Sequence, residues 1–143
     1  AVEKEYEYVI LNRHQPSALD RRVYFVPRPL DWECVRRAMR HFIGTHDFVA
    51  FQGAKAEIKS TVRTVSHFAL IDRGDGFFAL RIRGNGFLKQ MVRTIAGTLV
   101  EVGLGKRPES DIVKILESRD RQEAGHTAPA CGLTLVRIYY PGD

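Results

Sequence analysis

Gly84-Asn85-Gly86-Phe87-Leu88-Lys89-Gln90-Met91-Val92-Arg93-Thr94-Ile95-Ala96-Gly97 is the stretch whose reading decides the fold. It starts as the end of a strand, turns on flanking glycines and continues as a helix. Leu88, Met91, Val92, Ile95, Leu99 and Val102 recur at helical spacing and define a buried stripe. Arg93 lies off that stripe, on the same side as Gly97 one turn later. Glycine inside a helix is about 1 kcal/mol less favourable than alanine. Its presence predicts that another segment packs close to the helix beside the arginine. An arginine alone on a helix is otherwise simply solvated, so any further role needs support from elsewhere in the chain.

On the N-terminal side, residues 61–71 and 77–83 read as two strands joined by Asp72-Arg73-Gly74-Asp75-Gly76, a hairpin with a glycine-rich turn. In the second strand Phe78, Leu80 and Ile82 face one way, Arg81 and Arg83 the other. Residues 4–11 alternate as a strand with Tyr6, Tyr8 and Ile10 on one face. A polar, proline-punctuated stretch follows, with a short strand at 23–26. A helix is predicted over 31–43, with Asp31 as its N-cap, Val35, Ala38, Met39 and Phe42 inward, and Gly44 as its stop. Residues 47–60 read as a loop. Pro108 is placed in the first turn of a further helix, with Glu109 and Asp111 near its positive end and Ile112, Ile115 and Leu116 buried. A strand over 133–140 closes the chain. Together these elements predict an α+β fold, a largely antiparallel sheet with helices packed on one face.

The 143 residues fit one domain, 44% of them hydrophobic and able to form a real core. No apolar run has the length of a membrane span and no signal-peptide pattern stands out, so the expectation is a soluble intracellular protein without membrane contact. Cys34 and Cys131 are far apart and lack metal-ligand spacing, which favours free thiols over a disulfide. His14, His41, His46, His67 and His126 are scattered and suggest no metal site. A net charge of +5 and a pI near 9.5 favour a polyanionic partner. Arg21, Arg22 and Arg28 form one basic group, Arg36, Arg37 and Arg40 another, while Arg81 and Arg83 alternate along a strand. Gly84-Asn85-Gly86 before a helix could present backbone N–H groups to a phosphate, although a strand-to-helix turn calls for glycine in any case.

Four further stretches add to the Met91-Val92-Arg93 helix. They are Lys4-Glu5-Tyr6-Glu7-Tyr8-Val9-Ile10, Gly44-Thr45-His46-Asp47-Phe48, Thr61-Val62-Arg63-Thr64-Val65 and the run Asp120-Arg121-Gln122-Glu123-Ala124-Gly125-His126-Thr127-Ala128-Pro129-Ala130-Cys131-Gly132-Leu133-Thr134-Leu135. In this order they resemble the second half of the tRNA pseudouridine synthase A (TruA) family, over essentially the whole chain. The resemblance implies a C-terminal domain spanning 1–143, built like an RNA-recognition-motif β-α-β-β-α-β unit. It implies isomerisation of uridine in the anticodon stem-loop of tRNA, without cofactor or metal, by a cytoplasmic homodimer in which one tRNA touches both subunits.

The reaction breaks the N1–C1′ bond of uridine, turns the base and rejoins it through C5, so the base must leave its stack and meet a carboxylate in a pocket. The family's essential aspartate lies in a Gly-Arg-Thr-Asp-x-Gly-Val-His motif in the other half of the protein, and that motif does not occur in this sequence. Asp31 reads as a cap, and Asp72 and Asp75 as turn residues. This chain alone is therefore expected to be inactive. By position, Tyr6 matches the tyrosine that stacks on the target base and is discussed in proton transfer, roles that suit a phenol. Arg93 matches the arginine that pairs with the catalytic aspartate, which a guanidinium can hold by two parallel bonds. Leu133 matches the apolar residue lining the base pocket. Where the family is often basic around the tyrosines, this chain interleaves Glu5 and Glu7, which must face away from the cleft if Tyr6 faces it. A non-catalytic RNA-binding module of the same fold, or a dimerisation domain, are the alternatives; neither requires Tyr6, Arg93 and Leu133 together.

Overall fold

The computed structural model describes residues 2–54 and 60–143. Six strands form one sheet: β1 (Glu3–Asn12), β2 (Tyr24–Val26), β3 (Gly44–Asp47), β4 (Val62–Gly74), β5 (Phe77–Gly84) and β6 (Leu133–Tyr139). The order is β2-β1-β5-β4-β3, with β6 also on β1. β1 pairs with β5 along one edge and divides its other edge between β6, over residues 3–8, and β2, over residues 10–12. Among the described residues only the β1–β2 pair is parallel. Setting aside β2, β3 and the second consecutive helix at Asp111–Ser118, the sequence of elements is β-α-β-β-α-β, and β1 lies between the last strand and β5.

Three helices, α1 (Trp32–Met39), α2 (Met91–Gly103) and α3 (Asp111–Ser118), lie on the helix side of the sheet. The core joins Tyr8, Ile10, Leu80 and Ile82 of the sheet to Val35 and Met39 of α1, Ile95 and Leu99 of α2, and Ile112 of α3. Alternation along β1 and β5 puts Glu3, Glu5, Glu7, Arg81 and Arg83 on the outer face.

Local chemistry explains most boundaries. Asp31 caps α1 by accepting the Cys34 N–H at 3.1 Å, and the helix tightens into a 3-10 turn over Arg40–Phe42. The hairpin needs only two residues, Asp75 and Gly76, both at positive φ, which matches the twist of the flanking strands. Three predictions are corrected. Gly44 does not simply end a helix: it opens β3, four residues that pair antiparallel with β4 inside a region read partly as loop. Four residues are too few for alternation to show. The third helix starts at Asp111, and Pro108 precedes it in a turn closed by Asp111 N donating to Pro108 O at 3.1 Å. The last strand ends at Tyr139, one residue early. Of the predicted 47–60 loop, residues 55–59 lie outside the described residues.

Candidate functional site

The glycine turn does not form the start of α2. Asn85 lies against β4, its Oδ1 accepting the Thr64 N–H at 2.8 Å and its N–H donating to Thr64 O at 3.0 Å. The helix begins five residues later, after Gln90, which holds a left-handed backbone at φ 60°. The Asn85 N–H is thus taken by β4 and no helix starts at Gly84-Asn85-Gly86, so the phosphate-cradle reading of that turn is not supported.

That detour makes a cleft of about 250 Å3. Tyr6 of β1 and Leu133 of β6 form one wall, and Phe87 with residues 88–92 the other. The Tyr6 and Phe87 rings meet edge to face, 5.1 Å between centroids. Leu133 comes to this place because β6 runs antiparallel to β1, with Leu133 opposite Tyr8 and Leu135 opposite Tyr6. Glu5 and Glu7 point to the opposite face, as the alternation of β1 requires, and form ion pairs there with Arg81.

Arg93 is not part of the cleft lining; its neighbour Val92 is. The Arg93 side chain is half-buried and turned toward the segment 124–129, where its Nε donates to Ala128 O at 2.8 Å. Ala128 returns the contact, its N–H donating to Arg93 O at 3.0 Å. Among the described residues the two terminal nitrogens of the guanidinium have no acceptor. Its charge also reaches Tyr8: burial pushes that phenol well above its ordinary 10.0, Cys131 and Tyr24 add to the rise, and Arg93 opposes it. Tyr8 is fully buried and donates to Pro129 O at 2.6 Å.

Segment 124–129 is thus a strap laid along α2. Gly125 N donates to Thr98 Oγ1 at 2.9 Å, and Thr127 Oγ1 lies 3.2 Å from Thr94 Oγ1. At Gly97 the strap comes so close that a methyl group would overlap the His126 carbonyl oxygen. This is the neighbour that the mid-helix glycine predicts. The rest of the Asp120–Leu135 run serves the same end. Asp120 caps a short 3-10 turn through the Gln122 N–H at 2.9 Å, and Arg121 donates to Thr127 Oγ1 at 3.1 Å. A Cβ on Gly132 would strike the Tyr8 ring. His46-Asp47-Phe48 is likewise structural: Asp47 Oδ1 accepts from Thr61 Oγ1 at 2.6 Å and from Val49 N at 3.1 Å, while Phe48 is fully buried.

Sequence reasoning missed Phe87, Lys89 and Gln90 as cleft residues and Tyr8 as the anchor of the strap. Phe87 was legible in principle, as an aromatic side chain just past a turn and off the helical stripe. Nothing in the sequence marks the left-handed Gln90. Among the described residues no group of three metal-ligating side chains comes together, and no helix is long and apolar enough to cross a membrane. Cys34 and Cys131 are free.

A mixed sheet of β-α-β-β-α-β plan, with an aromatic and aliphatic cleft at one end and an arginine clamped beside it, is the class of structure at hand. The sequence model of the tRNA pseudouridine synthase family matches residues 38–141. The chain is 49% identical over 138 residues to tRNA pseudouridine synthase A of Acetivibrio thermocellus, an alignment covering 96% of this chain and 56% of that protein. To the Bacillus subtilis protein of that name it is 42% identical over 141 residues, covering 98% and 57% respectively. To that of Pseudomonas aeruginosa it is 42% identical over 144 residues, covering 100% and 50%. This chain belongs to the tRNA pseudouridine synthase family. It spans about half the length of the curated relatives it matches.

Proposed function

We propose that this chain forms one side of the uridine pocket of a tRNA pseudouridine synthase. The carboxylate that attacks the nucleotide would come from the part of the family protein that this sequence does not contain. The observation that carries the reading is the meeting of Tyr6 and Leu133 in one cleft, next to a guanidinium fixed by backbone groups with two nitrogens still open. An expelled uracil would lie against the Tyr6 ring and the Leu133 side chain, both suited to a flat, partly apolar base. The Arg93 Nη groups would hold the aspartate ionised and oriented, since an adjacent cation favours the charged carboxylate. Isomerisation breaks N1–C1′, forms C5–C1′, delivers a proton to N1 and releases one from C5, so composition is unchanged and no cofactor or metal is required. The family resemblance supports the finer points: anticodon stem-loop uridines as targets, a homodimer with one tRNA across both subunits, and residence in the cytoplasm. With 1–143 taken as a C-terminal domain, this chain alone would have no activity.

Release of the C5 proton supplies the test. With the chain joined to the remaining half of the protein, tRNA labelled with tritium at uridine C5 should lose label to water at specific anticodon-arm positions. Retention of all label, with tRNA still bound, would overturn the enzymatic reading in favour of an RNA-binding module.

A further inference from the structure

A polar cluster outside the cleft joins Tyr24, Glu101, Arg107 and His126. The Tyr24 hydroxyl lies 2.9 Å from His126 Nε2, and His126 Nδ1 lies 2.7 Å from Glu101 Oε2. That carboxylate oxygen also accepts the His126 backbone N–H at 2.8 Å, while Arg107 Nε stands 3.4 Å from Oε1. An ionised carboxylate only accepts, so Nδ1 carries a proton toward Glu101, and the Tyr24 hydroxyl holds the ring from its other nitrogen. The Tyr24 and His126 rings meet edge to face at 5.9 Å. The cluster thus grips one residue of the strap from two sides: Glu101 from α2 and Tyr24 from β2.

Two residues further along, Ala128 binds Arg93 at both its N–H and its carbonyl. Between the grip and that clamp the strap lies directly on the helix at Gly97. An extended segment advances about 3.3 Å per residue, so where His126 is fixed along α2 determines where the Ala128 oxygen stands. We infer that Glu101, through His126 and with Tyr24, is a positioning residue that sets the orientation of the Arg93 guanidinium. A consequence for turnover rests on the role given to Arg93 above; the positioning itself does not.

The Arg93 Nε–H gives a direct readout. In 15N-labelled chain its resonance is assigned by its loss in Arg93→Lys, and its exchange with solvent is measured. Glu101→Ala should speed that exchange about tenfold or more, because charge-assisted bonds to the strap are lost. Glu101→Gln keeps an acceptor oxygen for both His126 N–H groups and should restore most of the protection. Tyr24→Phe, which leaves the ring packing intact, should fall between wild type and Glu101→Ala. Ile112→Val weakens the core at α3 without touching the strap and should leave Arg93 exchange at the wild-type rate. If Glu101→Ala exchanges no faster than Ile112→Val, the inference is overturned. If Glu101→Ala does not fold, wild-type exchange in Tyr24→Phe overturns it. In the intact enzyme Glu101→Ala should lower kcat at unchanged KM for tRNA, with Glu101→Gln restoring it. Faster exchange with unchanged kcat would support the positioning and overturn the role of Arg93, so the two readings fail separately.

Discussion

Arginines on the two sides of this sheet are in opposite states. On the outer face Arg81 Nη2 lies 3.1 Å from Glu7 and Arg83 Nε 2.8 Å from Glu3, and Arg73 also pairs with Glu7. Arg83 further stacks on Tyr139, 3.6 Å from its ring centroid, and the Tyr139 hydroxyl donates to Glu5 at 2.8 Å. Three strands thus contribute to a ladder of charges that largely cancel. On the helix side Arg93 is held by a neutral backbone carbonyl and keeps its full charge, with two nitrogens open. A carboxylate neighbour offsets the charge of a guanidinium; a carbonyl neighbour only aims it. Arginine count and strand alternation therefore say little about where a polyanion or a catalytic acid would be met.

The largest difference should appear in catalysis. In the intact enzyme Arg93→Ala should slow pseudouridine formation roughly 10²–10³-fold, the usual effect of removing one oriented electrostatic partner. Arg81→Ala should leave turnover nearly unchanged, because Arg81 lies on the outer face and takes no part in the cleft. Arg93→Ala also loses the bond to Ala128, which adds about 1 kcal/mol of lost stability. Arg93→Lys should recover little activity, since an ammonium cannot bind Ala128 and present a planar fork at once. Comparable rates for Arg93→Ala and Arg81→Ala would erase the contrast between the two faces.

Next in size is the strap. Gly97→Ala places a methyl group on the His126 carbonyl oxygen, a backbone atom that can move only if the strap lifts. Unfolding in urea should show a loss of about 3 kcal/mol or more. Since the strap carries the acceptor for Arg93, activity should fall with it. A loss below about 1 kcal/mol would mean that the strap is loosely seated and cannot aim the arginine.

Much of this was legible from residues. The stripe Met91–Ile95–Leu99–Val102 marked α2, the glycine-rich run 72–76 marked the hairpin though the turn itself takes only Asp75 and Gly76, and Gly97 announced a close neighbour. What the sequence could not show is long-range. That β6 returns to β1, placing Leu133 across from Tyr8, depends on strand order, which periodicity does not encode. The strap 124–129 has no period at all, because its hydrogen bonds go to side chains and a carbonyl of α2 and to Tyr8, and not to a ladder. Arg81 and Arg83 looked available to RNA since their partners, Glu3, Glu5 and Glu7, lie some 75 to 80 residues away in sequence. Tyr6, Arg93 and Leu133 were picked out by resemblance, and only two of them line the cleft.

Smaller effects should separate the two faces in RNA binding. Binding of tRNA to this chain should weaken steeply with salt, and the slope should drop by about 0.7 to 0.9 for each phosphate contact removed. Lys89 is exposed on the cleft rim, held among the described residues by a 3.3 Å bond from Nζ to Ala54 O, so Lys89→Gln should flatten the slope by about one contact. Arg81→Gln should leave it unchanged. The reverse result would move the RNA path to the outer face.

The least of these effects concerns acid. Burial alone would raise the Glu101 carboxyl, but its bonds from His126 and the charge of Arg107 prevail and keep it below the ordinary 4.5. A carboxylate depressed in the folded state takes up its proton on unfolding, so low pH favours the unfolded chain. The stabilisation is complete above the unfolded value and disappears as pH falls through the folded one, a window below about pH 4.5. Groups facing Glu101 in that window are His126, Arg107 and Tyr24; the burial-raised Tyr24 phenol stays protonated throughout. Melting temperatures of wild type and Glu101→Gln should therefore converge on acidification, because glutamine resembles the protonated acid. They should differ most above about pH 5. Converging curves would place the acid sensitivity on the strap that aims Arg93. A constant gap between the two at every pH would show that the Glu101 charge does not hold the strap, and that the strap, like the outer face, is kept in place by contacts insensitive to this proton.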